Sequence, residues 1–145
     1  MKINIEESAR FSEVEVTIQC PHIDESLERL IAEIRLFNAS ISGKKDGSIY
    51  FLKPEDVLYF DTVDERVFIY TLECIYETSL KLYELEERFS GTSILRVGKS
   101  LILNLLKIDH ISPLLNGRIE AVLINGEKVI ISRQYVPAFK NKLGL

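Results

Sequence analysis

From residue 57 to residue 131 the chain is a succession of short apolar runs separated by polar or glycine-bearing breaks, at intervals of about 8–12 residues. The runs cover residues 57–60, 67–72, 75–78, 94–97, 101–104, 108–111, 118–124 and 128–131 and are rich in Val, Ile, Leu, Phe and Tyr. Each is too short for a packed helix, which needs three or more turns to bury a face, so the pattern predicts strands and argues against a helical bundle. The expected class is mainly β, α+β overall. Asn125-Gly126 and Asn116-Gly117 fall between runs, and a tight type I′ hairpin accepts residues tolerant of positive φ. One helix is expected near residues 80–89, where Leu82, Leu85 and Phe89 share a face, Thr78 or Ser79 can cap the start and Gly91 follows the end. A short terminal helix is expected after Ser132, with Pro137 in its first turn.

The first part of the chain reads differently. Residues 2–7 and 13–19 alternate apolar and polar positions (Ile3, Ile5; Val14, Val16, Ile18), the period of half-buried strands, and are expected to pair. Asp24 then precedes Leu27, Leu30, Ile31, Ile34 and Leu36 or Phe37, so residues 25–36 should form an amphipathic helix with Asp24 near its N-cap. The expected organisation is a β-β-α extension over residues 1–38 that packs on the β domain or on a second copy. A linker follows at 39–47, where Ser, Gly, Lys and Asp cluster, and then the main domain at 48–145.

A chain of 145 residues is one domain, or one domain with an extension, and can bury a core without staples. Cys20 and Cys74 make no disulfide framework, which points to a reducing compartment and buried thiols. The start lacks a signal-like charged-then-apolar pattern and the apolar runs are too short to span a bilayer, so a cytoplasmic protein is expected. The net charge is −4 but uneven: residues 90–145 carry eight basic and three acidic side chains. The C-terminal third is therefore electropositive, and that distribution matters more for an anionic partner than the sum.

Several chemistries fail on spacing. Gly98-Lys99-Ser100 copies the end of a phosphate-binding P-loop, but Ser93 stands where the first glycine belongs and an apolar strand follows instead of a helix. Cys20-Pro21-His22 offers two ligands where a metal needs three or four. His110 lies between strand residues without a neighbouring nucleophile, and no carboxylate spacing marks a catalytic pair. Neither an enzyme nor a cofactor is expected. What remains is residues 95–104, LRVGKSLILN: Leu95, Val97, Leu101 and Leu103 anchor two strands, and Gly98, Lys99 and Ser100 form a polar tip that should project outward. A rigid scaffold presenting a basic tip suits nucleic acid, where phosphate attraction supplies affinity and a few placed side chains reach base edges.

The same ten residues resemble the LytTR family of bacterial transcription regulators, whose pattern is an Arg, a hydrophobe, a polar pair, Ser, three hydrophobes and Asn. The resemblance extends to residues 49–61, IYFLKPEDVLYFD, as an opening strand pair, and to residues 106–111 and 124–133, which end in the Ser132-Arg133 signature. It implies an elongated stack of small antiparallel sheets that holds double-stranded DNA by loops at one edge. Carried over residue by residue, it puts Arg66 at a base-contacting position, Lys99 and Ser100 at the tip with Arg96 as a supporting cation, and Arg133, followed by Gln134, at a major-groove contact. Arg is suited to base edges because its planar fork can donate two bonds to guanine, whereas Lys is a point charge suited to phosphate. Asn104 is read as bonding backbone internally. The sequence departs from the family at Gly98, where many members carry His, and in the Asp64-Glu65 pair beside Arg66. The implied function is a sequence-specific transcription regulator acting as a homodimer on a repeated site. The alternative is a protein-interaction module for a regulatory partner, such as a membrane-protein inhibitor.

Overall fold

The computed structural model describes residues 1–36 and 40–145. Phe37, one candidate for the end of the helical apolar face, and Asn38 and Ala39, at the expected boundary, lie outside the described residues. The elements in chain order are α1 (Glu25–Leu36), β1 (Ile41–Lys45), β2 (Ser48–Leu52), β3 (Val57–Val63), β4 (Arg66–Thr71), β5 (Ile75–Thr78) and α2 (Leu82–Arg88). They continue with β6 (Ile94–Arg96), β7 (Leu101–Asn104), β8 (Ile108–Pro113), β9 (Ile119–Leu123), β10 (Lys128–Ile131) and α3 (Val136–Leu143). Each of the eight runs read as a strand forms one, β3 to β10, differing only at its ends. Both helices expected after residue 78 form as well, with Pro137 in the first turn of α3.

Seven strands form one sheet in the order β2-β1-β5-β4-β3-β7-β6, and β10-β9-β8 form a second. All the strand pairs are antiparallel. The mainly β, α+β reading is thus borne out. On one face of the large sheet Phe60, Ile69 and Ile102 meet Leu85 and Phe89 around α2, together with Leu36 of α1. On the other face Leu58 and Leu103 meet Ala121, Leu123 and Ile131 of the small sheet and Phe139 of α3. β3 and β7 are therefore buried on both faces, which explains their near-continuous apolar sequences. A register shift between Val57 and Tyr59 turns Leu58 and Tyr59 toward the same core.

Four expectations are corrected. Residues 2–7 and 13–19 form no strands: residues 1–24 carry no helix or strand, and residues 1–22 are exposed throughout. Alternation marks a segment able to join a sheet, but a two-stranded ribbon without a third strand or a covering layer is marginal in water. The helix of the expected extension does form, and Asp24 Oδ1 accepts from the N–H of Leu27 at 2.9 Å as its cap. Second, most of the expected linker is strand β1, paired with β2 through a turn in which Asp46 and Gly47 both take positive φ (50° and 79°). Asp-Gly is hairpin chemistry, and the small Gly43 is a packing requirement: a Cβ there would lie 2.8 Å from Cβ of Tyr76. Third, Asn125-Gly126 is not a type I′ pair, since among the two only Gly126 has positive φ (87°). Its N–H donates to Leu123 O at 2.9 Å, the arrangement of a three-residue loop with Gly at the left-handed position. Cys20 is exposed and Cys74 half-buried, so neither is a core thiol.

The sheets are also joined by a polar contact. The Tyr59 hydroxyl of β3 donates to Glu127 Oε2 at 2.6 Å, beside β10, and the Tyr59 ring stacks on Tyr70 with centroids 4.3 Å apart. Burial first, and then the Glu127 carboxylate, hold this phenol well above the usual tyrosine range. The unfolded chain releases the corresponding proton at about pH 10, while the folded chain retains it, so stability falls as pH rises past that point. Unfolding midpoints measured from neutral to alkaline pH should decline less steeply for Tyr59→Phe. Core packing has its own test. Leu103→Ala should cost about 2–5 kcal/mol in denaturant unfolding. Leu115→Ala, at a side chain 83% exposed, should stay within about 0.5 kcal/mol.

Candidate nucleic-acid interface

The tip between β6 and β7 is tightly built. Val97 N–H and Gly98 N–H both donate to Leu101 O, at 3.0 and 3.3 Å. Val97 and Gly98 are buried, so the projecting part is narrower than the sequence suggested: only Lys99 and Ser100 are exposed. Arg96 folds back along the tip, its Nε donating to Gly98 O at 3.1 Å and its Nη2 to Lys99 O at 2.6 Å. Its side chain is 22% exposed and lies 3.7 Å from Glu86. Arg96 is thus a brace for the tip, which leaves the ammonium of Lys99 as the outward charge.

Two backbone hydrogen bonds fix what lies on either side. Thr62 N–H, at the end of β3, donates to Ser100 O at 3.0 Å, which sets the turn Val63–Arg66 beside the tip. Ser132 N–H donates to Val97 O at 2.9 Å, which sets Arg133 and Gln134 beside it on the other side. The three sequence segments of interest are therefore brought together by main-chain contacts. Arg133 and Gln134 are exposed, and the aliphatic stem of Arg133 rests on Gly117, where a Cβ would come within 3.4 Å of its Cγ. Among the described residues the ion pairs include neither Lys99 nor Arg133.

Arg66 is differently placed. At the start of β4 it forms a two-pronged contact with Glu77 of β5, Nε to Oε1 at 2.9 Å and Nη2 to Oε2 at 2.6 Å, and its guanidinium carbon lies 5.3 Å from the Phe68 ring centroid. The hydrogen bond and charge of Arg66 hold the Glu77 carboxyl below its usual range, and Glu77 raises Arg66 in turn. The preceding Asp64 and Glu65, at φ 50° and 64°, form the turn itself and are not its partners. Both are L residues with a Cβ in the left-handed region, so this turn carries backbone strain.

A shallow groove of about 460 Å³ adjoins the tip, bordered by Lys99 and Ser100 on one side, Glu65 on another, and Lys81 and Tyr83 at the start of α2. Lys81 and Tyr83 had no signal in the sequence: they lie in a helical segment and reach the groove only through tertiary packing. Asn104 behaves as a structural residue, fully buried, with Nδ2 donating to Val57 O at 2.9 Å and Oδ1 accepting from Leu106 N–H at 3.2 Å. Strands separate all three helices in sequence, so no helix-turn-helix pair occurs among the described residues.

Comparison with known proteins follows the same lines. Residues 47–144 match the family profile described as the LytTr DNA-binding domain. Sensory transduction protein LytT of Enterococcus faecalis is 35% identical over 100 residues, covering 69% of this chain and 41% of that protein. The chain thus spans about two fifths of the length of that relative. A protein of Staphylococcus aureus described as an uncharacterized HTH-type transcriptional regulator is 26% identical over 147 residues, covering 100% of this chain and 99% of its own length. The solved LytTr DNA-binding domain of a methyl-accepting/DNA response regulator from Bacillus cereus superposes with a TM-score of 0.71 at 23% identity, over 74% of this chain and 99% of that one. That structural likeness shows the fold.

The brace makes a separable prediction. Arg96→Ala should loosen the tip by about 1–3 kcal/mol, read as faster amide exchange at Val97 and Gly98 with little change in global unfolding. Arg96→Lys should not restore protection, because one ammonium does not reproduce the forked contact to two carbonyls.

Proposed function

The chain belongs to the LytTR DNA-binding domain family, and from that premise we propose that it is a sequence-specific transcription regulator that reads duplex DNA through three adjoining loops. One observation carries the reading: the main-chain bonds Thr62–Ser100 and Val97–Ser132 align the Arg66 turn, the Lys99 tip and the Arg133 segment along one edge. A loop set fixed by backbone contacts keeps its spacing while its side chains engage a ligand, as groove readout requires. In this reading Lys99 and Ser100 engage phosphate, Arg133 and Arg66 donate to base edges, and Gln134 supports Arg133. Arg96 holds the tip and does not touch DNA. The local excess of cations after residue 90 supports the same orientation of the molecule toward an anionic duplex. No cofactor is needed, because the work is positioning. Two copies on a repeated site would bring affinity and site length to those of a typical regulator. The setting is the cytoplasm, where the DNA is.

Glu77 gives this reading a specific shape. An Arg already held by a carboxylate reaches a base only by exchanging partners, so Arg66 should add discrimination more than affinity. Binding of variants to a selected site and to a scrambled duplex, at several salt concentrations, tests the assignment. Arg133→Ala should cost about 1–3 kcal/mol on the selected site and relax preference at one base position. Lys99→Ala should weaken both duplexes alike and lower the salt slope by roughly one. Glu77→Gln should release Arg66 and tighten both complexes. Unchanged binding in Arg133→Ala together with Glu77→Gln would overturn the three-loop reading.

A further inference from the structure

We propose that residues 13–19 of one copy add as a strand to the β2 edge of a second copy, so that two chains exchange N-terminal segments in a two-fold dimer. β2 is the outermost strand of the seven-stranded sheet and, among the described residues, pairs on one side only, with β1. Its other side leaves ladder N–H and C=O groups without a strand partner, and such an edge templates addition of another strand. Protected edges carry a Lys, a Pro or a bulge. β2 reads SIYFL, contains none of these, and keeps unbroken register with β1.

The surface beside that edge carries exposed apolar side chains, with Ser42, Lys44 and Glu77 between them. Directly opposed residues of a sheet share a face, and the register Ile49–Lys44–Glu77–Phe68 puts Ile49 and Phe51 on the same face as Ile75 and Phe68. Ile49, Phe51 and Ile75 are 61%, 80% and 52% exposed. The small sheet and α3 cover this face only around Leu58 and Leu103, so its β2 end is left open.

The occupant is written in the same chain. Residues 13–19, EVEVTIQ, carry Val14, Val16 and Ile18 on one face and contain no Pro or Gly. Val14 and Val16 are 78% and 57% exposed in a single copy, and the segment forms no strand there. Its two carboxylates, Glu13 and Glu15, are unopposed by any cation within the segment. With Val14, Val16 and Ile18 on the face of Ile49, Glu13 and Glu15 fall on the opposite face, the face of Ser48 and its directly opposed cation Lys45. Placing Val14, Val16 and Ile18 on the face of Ile49 and Phe51 covers both apolar stripes.

The place where α1 begins favours exchange over return of the segment to its own copy. The last residue of α1, Leu36, shares a core with Ile41 of β1, while Glu25 at the other end lies against Gly144. The helix between them spans about 18 Å, so the segment enters the fold at the end remote from its own β1–β2 hairpin. Reciprocal exchange between two copies closes without leaving a free edge on β2.

This inference deepens the reading of the protein as acting in two copies, and it is tested without DNA. Sedimentation equilibrium of the full chain should show a dimer, and Val16→Pro and Phe51→Glu should each weaken association at least about tenfold. Both sites are exposed in one copy, so unfolding midpoints of the dilute variants should match the parent. In an equimolar mixture of isotope-labelled and unlabelled chains, filtered NOEs should connect residues 14–18 with 48–52 between copies. A chain that stays monomeric to about 100 µM, association unchanged in both variants, or those NOEs arising within one copy would each overturn the proposal. A variant-sensitive dimer in a protein that fails to bind duplex DNA would support the strand exchange and count against the three-loop reading.

Discussion

Everything in this molecule is organised around the pairing of β3 with β7. These strands meet at Tyr59–Leu103, Phe60–Ile102 and Asp61–Leu101, and they separate two cores that would otherwise be unconnected. Phe60 and Ile102 face one core, Leu58 and Leu103 the other, and all four are fully buried. A strand pair covered on both faces has no water to compensate a lost hydrogen bond, so its polar groups must be satisfied internally. Asn104 does this at the end of β7. It bonds the Val57 carbonyl where the β3 register shifts and accepts from Leu106 N–H, closing the region that the ladder leaves open. A single polar side chain inside an apolar run is thus what lets the run be buried on both sides.

That rigid centre determines where the loops lie. β3 and β7 adjoin the turn before Arg66 and the tip at Lys99, and the Thr62–Ser100 bond continues their ladder one step beyond the end of β7. The Ser132–Val97 bond attaches the small sheet's exit to the same point. Position is therefore set by main chain, and side-chain chemistry is left free at Lys99, Ser100, Arg133 and Gln134. Arg96 is the exception that explains the rule, since its guanidinium is used on carbonyls of its own loop.

What was legible in the sequence was whatever depends on local order. The eight strands from β3 to β10 follow from apolar runs and turn residues, because burial on a pleated surface demands that pattern wherever the partner strand comes from. β1 was missed because ISGKK is polar on its open side and needs a glycine where Tyr76 packs, a requirement visible only across the sheet. The N-terminal strands were overread for the converse reason: alternation at Val14, Val16 and Ile18 describes a side-chain pattern, whereas a strand exists only when a ladder partner is supplied. At the site, Arg96, Lys99 and Arg133 could be singled out from local pattern and resemblance. The Arg66–Glu77 contact spans 11 residues and arises from β4–β5 pairing, and the approach of Lys81 to the groove arises from packing of α2. Neither leaves a trace in local sequence.

The carboxylates beside the cations then acquire a physical meaning. Acidic side chains weaken attraction to phosphate wherever they adjoin it, and Glu65 borders the groove while Glu77 grips Arg66. Nonspecific binding depends on the unopposed sum of phosphate contacts, whereas a specific site also returns directional bonds to a planar guanidinium. A carboxylate partner therefore subtracts more from the nonspecific complex than from the specific one, provided the base offers the Arg two acceptors to replace those it gives up. On the three-loop reading, the acidic character of the first ninety residues is a source of discrimination, and the excess of cations is confined to the part of the chain that supplies the tip and the Arg133 segment.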